Sequence, residues 1–295
     1  MSDIALDTEA TARSKTRAPL ELLTRIPTMQ PFPANDIRLS PEAWELLFVR
    51  RRRGAFVQRG KHTAAAQELQ ALGLLTLIGS ASPTGIALTR VRYGSRLSFG
   101  ALIESGGRRV TFSSWYSGFD ALVAAEIVND DGSTSLSIHD TSMSDALGLL
   151  LSWLRIAPAW TYTHDVGDGE YDAELIEKRI DAIPGSEPPV PEDASWVTRR
   201  AWAAGGWARC EIISPSARLG LSRIRTGDVG WFTPEELPGA RIRLKPTASL
   251  DVMRDVIATF HEACTMSADR YARSQPRGLF GSLARLREAS APDDA

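Results

Sequence analysis

Hydrophobic positions recur with two different periods along this chain. The first is helical. Ser40 can cap and Pro41 can fill a first helical position, and Trp44, Leu47 and Phe48 follow. A second helix is predicted over about residues 62–72, closing at Gly73. A turn at Pro83-Thr84-Gly85 leads into a brief helical piece ending near Tyr93. The period then drops to two. Leu97, Phe99, Ala101 and Ile103 alternate with Ser98, Gly100 and Glu104, the pattern of a half-buried strand. Gly106-Gly107 marks a tight turn, and the return strand runs through Val110 and Phe112 to about Tyr116. Asp130-Asp131-Gly132 marks another turn. Leu136 and Ile138 belong to the strand after it, and a helix follows over 142–154.

The second half repeats this order. A polar stretch over 161–171, with Gly167 and Gly169, precedes a short helix over 173–183. Pro184, Pro188, Pro189 and Pro191 make 184–193 a linker or exposed loop. Strands are predicted over 207–213 and 219–225, with a turn at 227–230. Another strand begins at Trp231-Phe232, one spans 241–244, and a helix covers 250–263. Residues 1–35, with Pro19, Pro27, Pro31 and Pro33, read as a flexible tail. Residues 266–295 read as a basic C-terminal tail holding Arg270, Arg273, Arg277, Arg285 and Arg287, with a weak amphipathic pattern from Phe280, Leu283 and Leu286.

The two halves can be laid over each other without gaps. Thr141 meets Thr247 and Asp145 meets Asp251, an offset of 106 residues. Ala146, Leu147, Leu150, Leu151 and Leu154 then meet Val252, Met253, Val256, Ile257 and Phe260, and both sets trace one helix face. Leu136 and Ile138 meet Ile242 and Leu244 with strand period. Each threonine can cap, and each aspartate lies in a first turn, where the helix dipole favours it. The expected fold is α+β. It is one domain over 36–265, built from two quasi-repeated, strand-rich units (about 95–160 and 195–265). Each unit ends in a helix, and the two pack with pseudo-two-fold symmetry.

Composition adds mostly exclusions. The chain has 295 residues, 43% hydrophobic and 24% charged, the balance of a globular protein. Its 34 basic residues against 36 acidic ones give a net charge of −2, which does not point to nucleic acid as a partner. No apolar stretch is long enough to span a bilayer, and Met1 to Arg25 lacks the apolar run of a secretory signal. Cys210 and Cys264, without a CxxC pair, suit a reducing cytoplasm. His62, His139, His164 and His261 show no zinc spacing, and no nucleophile elbow, P-loop or dinucleotide fingerprint occurs. Asp165, Asp168, Glu170 and Asp172 form an acidic run without the calcium-loop pattern. No catalytic residue, cofactor or metal site is therefore expected. Arg50 to Arg53, with Arg59 and Lys61, read as a solvated helix end or as contacts to an acidic partner. Most of the eight tryptophans are expected in the core. Trp115-Tyr116 on a strand places one aromatic on each face.

Several segments resemble the EspG family, the cytosolic chaperones of actinobacterial type VII (ESX) secretion. The helix and turn from Gln67 through Gly73-Leu74-Leu75 look like that family's helix closure. Arg96 to Phe99 and Arg109 to Phe112 look like its first strand pair, and Leu219 to Phe232 like its late hairpin. Arg241 to Ser249 then leads into a helix as its last strand does. The resemblance covers about residues 40–263. It implies an α+β fold with quasi-two-fold repeats, no enzymatic activity, and secreted helical-hairpin partners of the PE/PPE or WXG-like kind. Such a chaperone needs apolar anchors and a polar rim. Trp115, Trp231 and Phe232 are the expected anchors, and Arg241 and Arg243 the expected rim.

Two other readings stay open. Residues 64–75 followed by 83–88 also have the helix–turn–strand text of a winged-helix DNA-binding regulator, with Arg50 to Arg53 on phosphates. Against it, that helix carries Gln67, Glu68 and Gln70 and hardly a basic residue. The other is an uncharacterised protein-interaction module.

Overall fold

Hydroxyl caps start several of the helices. A computed structural model describes residues 32, 37–48, 63–129, 131–156, 169–214, 219–227 and 230–274. The short β1 (Arg38–Leu39) leads into α1 (Pro41–Phe48), whose first turn is held by the Ser40 hydroxyl accepting from Ala43 N at 3.1 Å. Thr63 and Ser82 cap α2 (Ala64–Ala71) and α3 (Pro83–Gly94) in the same way. Pro83 sits in the first turn of α3, where its missing N–H costs nothing. Four strands follow: β2 (Leu97–Ser105), β3 (Arg108–Ser117), β4 (Asp120–Val128) and β5 (Thr134–Ser142). Then comes α4 (Met143–Trp153). After β6 (Gly169–Asp172), α5 (Ala173–Asp181) and α6 (Trp196–Ala204), a second run of four strands follows: β7 (Trp207–Ser214), β8 (Leu219–Thr226), β9 (Gly230–Leu237) and β10 (Arg241–Thr247). It ends in α7 (Ser249–Ser274).

The ten strands form one antiparallel sheet in the order β1-β5-β4-β3-β2-β7-β8-β9-β10-β6. With helices gathered on its faces, the class is α+β. The two strand runs meet at β2 and β7, which pair from Gly100↔Ile213 to Glu104↔Arg209. Two side chains tie this seam further. Ser105 Oγ donates to the Trp207 carbonyl at 2.6 Å, and Ser214 Oγ to that of Ser98 at 3.1 Å. The short β1 pairs with the last strand of the first run, and the short β6 with the last strand of the second.

Strand alternation sorts the core between the two faces. Phe99, Ala101, Phe112, Val123, Cys210 and Ile212 share one face with α4 and α7, in a single cluster that runs across the seam. Three of the superposed pairs (Ala146 with Val252, Leu150 with Val256, Leu154 with Phe260) are all buried in it. The other face carries two separate clusters. One packs α1, α2 and α3 on β4 and β5 through Leu47, Phe48, Leu69, Leu88, Leu122 and Ile138. The second packs α5 and α6 on β7 to β10 through Ile176, Trp202, Trp207, Phe232 and Leu244.

Several expectations change. β4 and α6 were not anticipated. Thr141 and Thr247 are strand residues, not caps. The cap of α4 is Ser142, whose hydroxyl accepts from Asp145 N at 3.2 Å and donates to the Asp145 carboxylate at 2.7 Å. α7 continues past Ala263 to Ser274, into the residues expected as a basic tail. Phe32, expected within the N-terminal tail, packs against the α4 and α7 face, its ring edge-on to His139 at 5.3 Å. Most of the two tails, the Arg50 to Arg53 run and His164 with Asp165 and Asp168 lie outside the described residues.

Two predictions follow from burial. Trp231 is 2% exposed and Trp196 is 56% exposed. In urea unfolding, Trp231→Ala should cost about 3–5 kcal/mol, and Trp196→Ala well under that. His139 is buried, with Nε2 3.0 Å from Ser137 Oγ, and burial lowers its pKa from the ordinary 6.5. The unfolded chain therefore takes up that proton first. The stability His139 contributes is full above pH 6.5 and declines as the pH falls below it. Comparing urea midpoints from pH 7.5 down to 5, wild type should lose more stability than His139→Gln.

Candidate functional site

The gap between the two clusters on the split face is the candidate site. Its floor is β2 and β3, whose residues Ser98, Gly100, Thr111 and Ser113 are small and bury little apolar surface. Leu102 is buried there but belongs to neither cluster. A cavity of about 200 Å³ opens over these residues, with Trp115 on one side and Ile213, 41% exposed, on the other. A second cavity of about 470 Å³ adjoins it at Ser98 and Trp115 and is lined further by Phe48, Arg92, Tyr93 and Arg96. Gly100 is required by close approach. A Cβ there would stand 2.4 Å from the Phe112 carbonyl oxygen of the paired strand.

The chain builds the Trp115 end from three separate segments. Trp44 and Phe48, four residues apart, share one face of α1. Arg92 lies in the last turn of α3, where the helix dipole favours a cation. Trp115 comes from β3. The Trp44 and Trp115 rings stack with centroids 5.6 Å apart. The Arg92 guanidinium lies over three rings, 4.7 Å from Trp115, 4.9 Å from Trp44 and 5.1 Å from Phe48. Burial lowers the Arg92 pKa, with the neighbouring Tyr93 acting in the opposite direction. Tyr93 donates its hydroxyl to the Phe48 carbonyl and so ties α3 to the end of α1.

The opposite wall is polar. Arg209 on β7 pairs with Glu177 of α5 and reaches Glu104 of β2 at 3.7 Å. Exposed apolar side chains lie elsewhere as well. Leu77 and Ile78, 89% and 70% exposed, form the tip of a tight turn between α2 and α3. Gly79 N bonds the Thr76 carbonyl across that turn at 2.8 Å.

Of the five residues expected to bind a partner, only Trp115 reaches this groove. Trp231 packs beneath α7 and Phe232, fully buried, beneath α5 and α6, so neither offers a surface anchor. Both faces of their strand are covered, and adjacent aromatics fill both. Arg241 and Arg243 are remote from Trp115, near the β6 edge. The alternation that buries Ile242 and Leu244 turns them to the other face. There both pair with Glu170, Arg243 at 2.6 Å, and Arg243 also reaches Glu235 at 3.8 Å. The Arg243 hydrogen bond holds the Glu170 carboxyl below its ordinary pKa.

Arg92, Trp44, Leu77 and Ile78 are the surface features that sequence reasoning passed over as partner contacts. The pair Leu77-Ile78 did carry a signal, because two large apolar residues inside a turn have no core to enter. Among the described residues, no group of three or more His, Cys, Asp or Glu could hold a metal ion. No described helix is long and apolar enough to cross a membrane. Burial pushes the Cys210 thiol up to about 11 and raises that of the half-buried Cys264. No family model and no curated protein matches this chain.

The aromatic stack is testable in isolation. Trp115→Leu removes one ring from Arg92 and should lower stability by about 1–2 kcal/mol in urea unfolding. Trp44→Leu should cost a similar amount. The double variant should cost less than the sum of the two, because both act on one cation.

Proposed function

We propose that this chain is a non-enzymatic chaperone or adaptor that seats the helical tip of a protein partner in the groove over β2 and β3. The carrying observation is the interrupted core. One face is buried across the seam, while the other leaves a strip of small residues rimmed by Trp115 and Ile213. A few apolar anchors around a polar, shallow floor suit a protein partner better than an enclosed small-molecule site. The exposed Leu77 and Ile78 add a second apolar contact of the kind that marks interaction surfaces.

The reading extends to the two halves. The order of short strand, helices, four strands and closing helix occurs twice. We take these as quasi-repeats related by a pseudo-two-fold through the β2–β7 seam. Equal helix starts in the superposed register, Met143 and Ser249, support this. The same organisation supports the likeness to the EspG chaperones. On that basis the proposed partner is a secreted helical-hairpin protein of the PE/PPE or WXG-like kind, held in the cytoplasm before type VII export. A DNA-binding winged helix has less support, since residues 83–88, expected as the strand of its helix–turn–strand text, begin the helix α3.

The test is recovery of partners on the tagged chain from its native host, with mass spectrometry. A helical-hairpin protein in about equal amount is expected. Ser113→Phe fills the floor and should cut that recovery at least tenfold, as should Leu77→Asp with Ile78→Asp, while Tm moves by no more than about 4 °C. Recovery unchanged by Ser113→Phe rules out the groove as the docking site. Recovery of no helical partner rules out the chaperone reading.

A further inference from the structure

Arg92 and Arg179 hold similar positions on the same face of the sheet. Each lies in the last turn of its helix, over tryptophan rings, and Arg179 lies 5.7 Å from the centres of both Trp202 and Trp207. Their surroundings differ. Arg179 is 3% exposed, its Nη2 donates to the Trp202 carbonyl at 2.8 Å, and the Glu187 carboxylate favours its charge. Its Nε is buried without an acceptor, as one nitrogen of Arg92 is, but the guanidinium is covered by α6 and is not open to a partner.

Arg92 is half-buried and borders the cavity that adjoins the groove. Its Nη1 is buried with no hydrogen-bond acceptor. Among the described residues, no carboxylate forms an ion pair with it. It lines the 470 Å³ cavity together with Arg96, Ser95, Ser98 and Trp115, and among the described residues no acidic one lines that cavity. Three aromatic faces offset part of the cost of taking the guanidinium out of water. They accept no in-plane hydrogen bonds, so the edge of the guanidinium keeps unused donors. A planar carboxylate matches that fork better than any neutral acceptor.

We propose that Arg92 binds a carboxylate side chain from an acidic helical segment of the protein partner seated in the groove. This rests on the docking reading above and adds the chemistry of the docked segment to it. Trp115 supplies the apolar contact beside Arg92.

The probe is a pair of labelled amphipathic peptides about 18 residues long, roughly five helical turns. Both carry Leu on one face, one has Glu and its twin Gln on the other, and binding to the intact chain is read by fluorescence anisotropy. The Glu peptide should bind at least tenfold more tightly than its twin, and the advantage should shrink as salt rises. Arg92→Gln should abolish the advantage and Arg92→Lys should retain part of it. If Arg92→Gln fails to fold, the comparison of the two peptides on wild type still decides. Equal binding of both peptides, lost in Ser113→Phe, overturns the carboxylate assignment and leaves docking in place. Binding of neither peptide overturns both. A chain that dimerises through this groove and excludes both peptides overturns the proposal in favour of a second copy as occupant.

Discussion

A sheet of ten strands has two broad faces, and every apolar stretch on either must be covered. The rest of this structure follows from how that cover is divided. On one face α4 and α7 share a single core. α7 packs on β2 as well as on β7, β8 and β9, so it bridges the seam between the two strand runs. On the other face no cluster crosses the seam. One group of helices covers the first strand run and the other the second, α5 also reaching the Glu104 end of β2, and the floor between them is left to Ser98, Gly100, Thr111 and Ser113. Because these side chains are small or polar, leaving them near solvent costs little hydrophobic free energy. A groove can therefore exist in the free chain without a large stability penalty.

The cations at the helix ends reflect the same division. Arg179 and Arg92 each lie over aromatic rings in place of a paired carboxylate. Arg179 donates through Nη2 to a backbone carbonyl because α6 folds over it. Arg92 has no such cover, because α3 is the last element before the gap. On the bridged face the cations are held differently. Arg223 of β8 pairs with Asp255 of α7 at 2.5 Å, and Arg225 donates to the Leu154 carbonyl at the end of α4 at 2.9 Å. Those contacts fix the two closing helices to the second strand run.

The parts that were legible in the sequence are those where one face of an element is wet. β2 alternates except at Leu102, and the closing helices show matched apolar faces. β4 was hidden because both of its faces are buried. Ala121, Val123 and Ala125 face α4 while Leu122 and Ala124 face α1 to α3, which erases the period of two. α6 was hidden between a proline-rich loop and a strand, with only the Ser195 cap to announce it. The same limit misplaced the anchors. Trp231-Phe232 and Trp115-Tyr116 look alike as aromatic pairs on strands. Only the cover on each face separates them, and that is a property of the assembled sheet. Arg92 could not be found at all, because its ring partners come from α1 and β3, far apart in the chain.

The seam explains why the candidate site falls where it does. The two strand runs join through only five paired positions of β2 and β7, from Gly100 to Glu104. Four of the groove's features border those positions: Gly100 and Leu102 on β2, Ile213 on β7, and Ser113 opposite Gly100 on β3. A partner seated there would touch strands of both halves at once. It would add apolar contact along the part of the seam that α5 leaves uncovered on the split face. Docking at this place would therefore stabilise the junction as well as shield the partner, coupling the two through the same few side chains.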